Sequence, residues 1–302
     1  MIVLKGDVGL KLDETLLPEV MHELGNYKNY ALGKWHLGHS TPAYLPTARG
    51  FHNFLGYLAG KNYYWSKKTP DYPTVKDFMY ANKTCYEEYD DADANDYSTF
   101  LYRDHAIKSV QDHDFDANPM FMYFAAQAVH DPFADCGEDE YSVYNEGIPE
   151  SYMSNIGSET YAGVAEKVVG AKRQQYAMAL MLLDNAVKQI YNALDARNQL
   201  DNTYFIFASD NGACKFSGGK NAPLRGSKGT LFEGGVRVDA FISSPLLPTA
   251  SKGTTYDGLM HVSDWFPTML DFAGMLDDFK PQDGEIDKGE QTLLGFFFYY
   301  VK

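Results

Sequence analysis

The chain has 302 residues, with 26 Lys and Arg against 41 Asp and Glu, a formal net charge of −15. Apolar residues make up 45 % and charged ones 22 %, which excludes a disordered acidic chain, a collagen and a coiled coil. The acidic balance excludes a general nucleic-acid binder, which needs a basic face to displace counterions.

In chain order, Asp13 is placed to N-cap a helix with Leu16, Leu17, Val20, Met21 and Leu24 on one face, closed by Gly25. Tyr27 to Leu32 reads as a strand running into a loop, Gly33 to Gly38. Ser98 to Val110 is the next helix. Met120 to Ala126 is an unbroken apolar run, as expected of a strand covered on both faces. Glu159 to Leu194 reads as mostly helical, with Met178, Leu182, Ala186 and Ile190 at four-residue spacing. Thr203 to Ser209 and Asp239 to Ser244 read as strands, and Val262 to Ala273 as a helix. Strands alternating with helices predict a mostly parallel sheet covered on both sides. Ligands of such sheets sit beyond the carboxyl ends of the strands.

No stretch reaches the roughly 20 apolar residues of a membrane helix. The longest apolar run, Leu293 to Val301, is too short to span. Met1 to Asp7 lacks the charged start, apolar middle and cleavage site of a signal peptide. Cys85, Cys136 and Cys214 are too few and too scattered for a disulfide framework or a zinc site. Asn82-Lys83-Thr84 is an N-glycosylation sequon, used only on the secretory route.

Polar clusters follow three of these strands. In Gly33-Lys34-Trp35-His36-Leu37-Gly38, Lys34 and His36 point the same way in extended geometry and suit an anion, although the segment alone also reads as a plain turn. His130, in Gln127-Ala128-Val129-His130-Asp131-Pro132, is placed for proton transfer at a strand end, or else is a loop His bound to neighbouring backbone. Asp210 and Asn211, in Ser209-Asp210-Asn211-Gly212, offer hard oxygens for Ca²⁺ or form a simple turn. The glycine-rich stretch Pro223 to Arg237, with Arg225, Lys228 and Arg237, is a loop able to wrap an anion or a flexible surface loop.

In their joint order these segments resemble the sulfatase family, closest to its arylsulfatase B-like branch. The resemblance rests on GKWHLG (33–38), LPTARGF (45–51), GYLAG (56–60), AVHDP (128–132), SDNG (209–212), PLRGSKGTLFEGGVR (223–237) and HVSDWFPTML (261–270). It implies an alkaline phosphatase-like fold, a large mixed, mostly parallel sheet between helices. It implies hydrolysis of sulfate esters through a formylglycine made from a Cys-x-Pro-x-Arg cysteine, with Ca²⁺ holding the sulfate. Carried over by position, Lys34 contacts sulfate and the formylglycine hydrate, and His36 hydrogen-bonds the hydrate. His130 and Lys228 bind sulfate near the leaving oxygen, with His130 the proton donor, and Asp210 and Asn211 are two cation ligands. The implied substrate is a sulfated carbohydrate such as an N-acetylgalactosamine sulfate, and the implied location is the lysosome or the outside of the cell. A phosphatase or phosphonate hydrolase of the same superfamily is the weaker alternative, because GKWHLG and PLRGSKG match sulfatases.

Two family motifs have no match. None of the three cysteines has Pro two places on and Arg four places on, and no Ser takes that pattern. The Asp-Asp pair that completes the family's cation site is also missing, and Asp90-Asp91 lies in an unrelated acidic stretch. The sequence is therefore expected to be an N-terminally truncated catalytic-domain portion over residues 1–284, without the opening strand, with an atypical apolar tail at 285–302 in place of the small C-terminal sheet. The expected consequences are weak or absent Ca²⁺ binding and no turnover by this chain. The alternative to a fragment of an active enzyme is a non-catalytic relative that binds sulfated glycan or a partner protein.

Overall fold

The computed structural model describes residues 9–83, 85–89, 97–132 and 168–280, and the backbone of 296–300. Cys136, Asp90-Asp91, Thr84 of the sequon, the expected helix start at Glu159 and the 281–295 segment lie outside the described residues.

In chain order, α1 is Leu17–Gly25 and β1 is Lys28–Lys34. Strands β2 (Asn53–Tyr57), β3 (Lys68–Thr69), β4 (Tyr72–Lys76), β5 (Met79–Asn82) and β6 (Tyr86–Glu88) follow. Then come α2 (Ser98–Asp112), β7 (Met120–Ala125), α3 (Ala171–Ala196) and β8 (Thr203–Ala208). The last are α4 (Glu233–Val236), β9 (Ala240–Ser243), α5 (Trp265–Phe272) and β10 (Phe296–Tyr300).

The main sheet has the order β6-β5-β2-β1-β7-β10-β8-β9. β1 runs parallel to β2 and β7. β10 is antiparallel to both β7 and β8, so those two run the same way as each other. Strands β2, β1, β7 and β8 therefore share one direction, with β10 set antiparallel between β7 and β8 and further antiparallel pairings toward both edges. The expected mixed sheet between helices is what forms. The run Phe296 to Tyr300, within the tail read from sequence as atypical, supplies an interior strand. Its aromatic residues have high strand propensity.

The apolar run of β7 shows how the layers are made. Met120, Met122 and Phe124 pack with Leu101, Tyr102, Ala106 and Val110 of α2 and with Leu183, Ile190 and Leu194 of α3. Phe121, Tyr123 and Ala125 face the other way, toward Leu17, Val20 and Met21 of α1 and Trp265, Met269 and Leu270 of α5. A period of two on a strand sends alternate side chains to opposite faces, so a run without alternation in polarity needs helices on both. Each fully buried side chain of this size contributes about 1.5–3 kcal/mol.

The start of α1 differs from the sequence expectation. The helix begins at Leu17, not after Asp13, with Leu16 at the N-cap and Pro18 in the first turn. The Glu19 carboxylate takes the capping role by accepting the Leu16 N–H at 2.7 Å. Pro18 fixes φ and lacks an N–H, so it suits a first turn and not a helix interior. The helix closes on Asn26 in the left-handed region (φ 53°), not on Gly25, and Leu24 is exposed. Gly25 is needed for space, since a Cβ there would lie 2.7 Å from Met275 Sδ.

Glu19 also accepts from Arg49 Nε at 2.9 Å, and Arg49 is only 3 % exposed. Its other end donates to the Glu14 carbonyl. One guanidinium thus ties the loop before β2 to both sides of the α1 start. Arg49→Met is expected to lower stability by about 2–4 kcal/mol in urea denaturation, because it strands a partly buried carboxylate. A loss under about 1 kcal/mol would reduce the pair to an ordinary surface contact.

Two imidazoles give the fold a pH dependence. Burial, then the nearby Lys83, His22 and Lys28, pushes His52 down to about 4. Burial, then Lys108, does the same to His105, which packs edge-on against Tyr80. The unfolded imidazole takes its proton near 6.5 and the folded one only near 4, so between these values the unfolded state binds more protons. Stability is then lost as pH falls through that window. The expected loss for His105 is on the order of 2 kcal/mol after allowance for its partial exposure. Calorimetry at about pH 7 and about pH 4.5 checks it, on either side of the midpoint of that window. His105→Gln should fall less than the parent, and equal slopes would remove His105 as a cause.

Candidate active site

The site forms at the carboxyl ends of β1, β7 and β8, where the sheet geometry places ligands. β1 ends at Lys34, paired in register with Tyr57 of β2. The residue before it, Gly33, has φ +95°, and a Cβ there would stand 2.0 Å from the Ala125 carbonyl oxygen. Only glycine lets β1 and β7 close up at this point. The strand thus runs through Gly33 and Lys34, two residues further than the sequence boundary, and carries Lys34 into the site.

Lys34 is half-buried. Burial first, then the ammonium of Lys228, holds its pKa below the usual lysine range, and Asp210 pulls the other way. The charges of Lys228 and Asp210 therefore both reach Lys34, although the three lie far apart in sequence.

His130 completes the group. Its Nδ1 lies 2.5 Å from the Asp131 carbonyl, and Lys228 Nζ lies 3.0 Å from its Nε2. Nδ1–H donating to a carbonyl and Nε2 accepting from an ammonium describe a neutral ring. Burial, then Lys228, lowers its pKa, Asp131 resists, and Lys34 adds to the lowering. A half-buried lysine, a second lysine and an imidazole whose charge is suppressed make a pocket that an anion would relieve.

The loop that carries His130 is held from below. The His130 N–H donates to the Gln127 carbonyl at 2.8 Å. The fully buried Tyr64 hydroxyl bridges the carbonyls of Gln127 (3.1 Å) and His130 (2.9 Å). Gln127 is clamped by Ser98 Oγ, which donates to its Oε1 at 2.7 Å, and donates from Nε2 to the Asn62 carbonyl at 2.7 Å. Asn62 in turn donates to the Asp77 carbonyl, and the Asp77 carboxylate accepts from the N–H groups of Leu58 and Ala59 at 2.9 and 2.8 Å. Burial raises its pKa against these two bonds. His36 bonds through its N–H to the Leu58 carbonyl at 3.1 Å, and its ring lies over Gly60. His36 thus joins the wall that Asp77 organises. Sequence reasoning missed Tyr64 and Asp77 as supports of the site. Neither residue sits at a strand end or in a spacing that announces its role.

Asp210 is exposed just past β8, and the Asn211 side-chain Nδ2 donates to the neighbouring Gly212 carbonyl at 3.0 Å. Among the described residues no group of three or more His, Cys, Asp or Glu gathers to hold a metal. Ca²⁺ takes six to eight oxygens. The described donors at this site, Asp210 and Asn211, do not by themselves make a calcium centre. Cys214, four residues past Asp210, and Cys85 are unpaired thiols. Asn82 closes β5, where its Oδ1 accepts the Cys85 N–H at 2.9 Å.

The mostly parallel sheet layered between helices is an alkaline phosphatase-like fold. More narrowly, the profile of the family described as Sulfatase matches residues 2–275, and the chain belongs to the sulfatase family. It is 35 % identical over 277 residues to arylsulfatase J of Mus musculus, covering 91 % of this chain and 42 % of that protein. It is 31 % identical to the N-acetylgalactosamine-6-sulfatase of the same species, over 96 % of this chain and 52 % of that protein. The chain therefore spans about half the length of these relatives. Among solved structures, Ps i-CgsB in complex with k-i-k-neocarrahexaose superposes with a TM-score of 0.71 at 25 % identity, covering 93 % of this chain and 57 % of that one. The PsFucS1 sulfatase from Pseudoalteromonas sp., at 21 % identity and a TM-score of 0.68 over 96 % of this chain and 57 % of that one, shares the fold.

Proposed function

We propose that this chain is the sulfate-recognising part of a sulfatase that acts on sulfated carbohydrate. The observation that carries this reading is the convergence of Lys34, Lys228 and His130 at the strand ends. The sulfated-sugar enzyme among its relatives, and the carrageenan-type oligosaccharide bound by a structural neighbour, support the substrate class.

In this reading Lys34 and Lys228 grip the sulfate oxygens. The anion opposes the two ammonium charges that suppress His130, so the ring takes up a proton as the ester binds. It then holds that proton beside the leaving oxygen, where charge develops. His36, on the wall held by Asp77, takes the family role of hydrogen-bonding the formylglycine hydrate. Asp210 and Asn211 are cation ligands of an incomplete set and bind Ca²⁺ weakly. The sequon at Asn82 is glycosylated, and the protein works in the lysosome or outside the cell.

The 302 residues hold neither a Cys-x-Pro-x-Arg motif nor a serine equivalent. This supports a second reading for the chain taken by itself, binding of sulfated glycan without cleavage. The test is to incubate the purified chain with an aryl sulfate and millimolar Ca²⁺, follow phenol release, and titrate N-acetylgalactosamine 6-sulfate by calorimetry. Binding without turnover is the expected result. Turnover would overturn the inactivity of this chain, and preference for the matched phosphate ester would overturn the sulfatase reading.

A further inference from the structure

Beside this pocket lies a cleft of about 600 Å³ that the mechanism does not use, between the first turn of α3 and the loop after Asp210. Among the described residues its lining carries Lys172, Arg173, Lys215 and Lys220, together with Phe216, and no carboxylate. Four cations around one opening stand out in a chain of net charge −15.

The cleft is built, not a chance meeting of surface lysines. Arg173 Nη1 donates to the Gly218 carbonyl at 2.8 Å, which ties the helix to the loop, and its guanidinium lies 5.2 Å from the Tyr176 ring centre. Asn221 holds the loop's far end by accepting the Ala213 N–H at 2.7 Å and donating to the Ala213 carbonyl at 2.8 Å. Ala213 also accepts the N–H of Lys228 at 3.3 Å, so the cleft wall and the sulfate pocket share one frame. The Asp210 charge is felt at Tyr176, one turn along α3 from Arg173. Within this frame Lys215 and Lys220 remain exposed, and so does the Phe216 ring, at 74 %. Lys215 Nζ sits 5.0 Å from the centre of that ring.

We propose that this cleft is a second anion subsite, which takes a sulfate or carboxylate on the sugar unit next to the one whose sulfate enters the Lys34–Lys228 pocket. Phe216 offers an apolar face to the sugar ring between them. The proposal rests on the sulfate reading of that pocket and extends it. The substrate class becomes an oligosaccharide with anionic groups on neighbouring units, not an isolated sulfated monosaccharide. Net charge repels such a chain at long range, so its capture depends on local cations.

The experiment is calorimetric titration of the full 302-residue chain with three probes. The first is N-acetylgalactosamine 6-sulfate, the second an oligosaccharide sulfated on adjacent sugars, and the third one with a sulfate beside a uronic carboxylate. Lys215→Ser/Lys220→Ser changes two exposed side chains, and its far-UV spectrum and melting point should match the parent. It is expected to weaken binding of the second or third probe about three- to twentyfold, at the few tenths to one kcal/mol per exposed cation. The monosaccharide should change less than about twofold. Which of the two longer probes responds tells sulfate from carboxylate. Equal effects on all probes, or longer probes that bind the parent no more tightly than the monosaccharide, would overturn the subsite. Lys34→Met tests the other pocket separately. If it leaves every probe unchanged while Lys215→Ser/Lys220→Ser still weakens the longer ones, the cleft stands and the sulfate reading of the strand-end pocket falls.

Discussion

Replacing Gly33 with alanine should cost about 4 kcal/mol or more. Two causes add. The residue sits at φ +95°, which L side chains rarely adopt, and the new Cβ would fall 2.0 Å from the Ala125 carbonyl oxygen, far inside van der Waals contact with backbone. β1 pairs with both β2 and β7 in register here, so neither neighbour can withdraw without breaking ladder hydrogen bonds. Gly253 is the control: its φ is +69°, and an added methyl group would meet nothing within 4 Å. Gly253→Ala should cost only about 1 kcal/mol from backbone strain alone. Urea denaturation of the two variants separates collision from strain. Equal losses would show that β1 and β7 do not approach as closely as described.

The second large effect concerns Lys34. Lys34→Met should weaken binding of N-acetylgalactosamine 6-sulfate by roughly 10- to 150-fold, the worth of one hydrogen bond to a charged group. It should also leave the empty protein as stable as before or more so. Burial and the Lys228 ammonium disfavour the charged lysine in the fold, so folding carries a cost that methionine of similar length does not. The sign with pH follows. The folded pKa lies below the unfolded one, so the parent gains stability as pH rises through that interval toward 10.5, and the variant does not. Binding sites commonly trade stability for function in this way. A variant that loses binding only because it unfolds would sink the assignment of Lys34 to the anion.

Much of the fold was legible because it follows from local pattern. The unbroken run at 120–125 and the four-residue spacing in α3 report the same thing, side chains that must be covered. The α1 boundary was misread because Asp13 matches a capping preference, while the real cap comes from Glu19, oriented by Arg49 thirty residues away. No local window contains both.

The site divides in the same way. Lys34, His36, His130, Asp210, Asn211 and Lys228 were each visible as chemistry-bearing residues after strands or in glycine-rich turns, and their order carried the family resemblance. Composition and periodicity alone thus determined the layered α/β class, the strand ends as the place for chemistry, and the kinds of side chain available there. Tertiary structure alone decided that Lys228 donates to His130 across 98 positions, and that Tyr64 and Asp77 hold the walls. It alone placed the Phe296–Tyr300 backbone as an interior strand and set Arg173 against the loop after Asp210. The physical reason is range. Propensity and periodicity act over a turn or a few residues, whereas a suppressed charge or a satisfied buried polar group depends on whichever distant segments the packed sheet brings within a few ångströms.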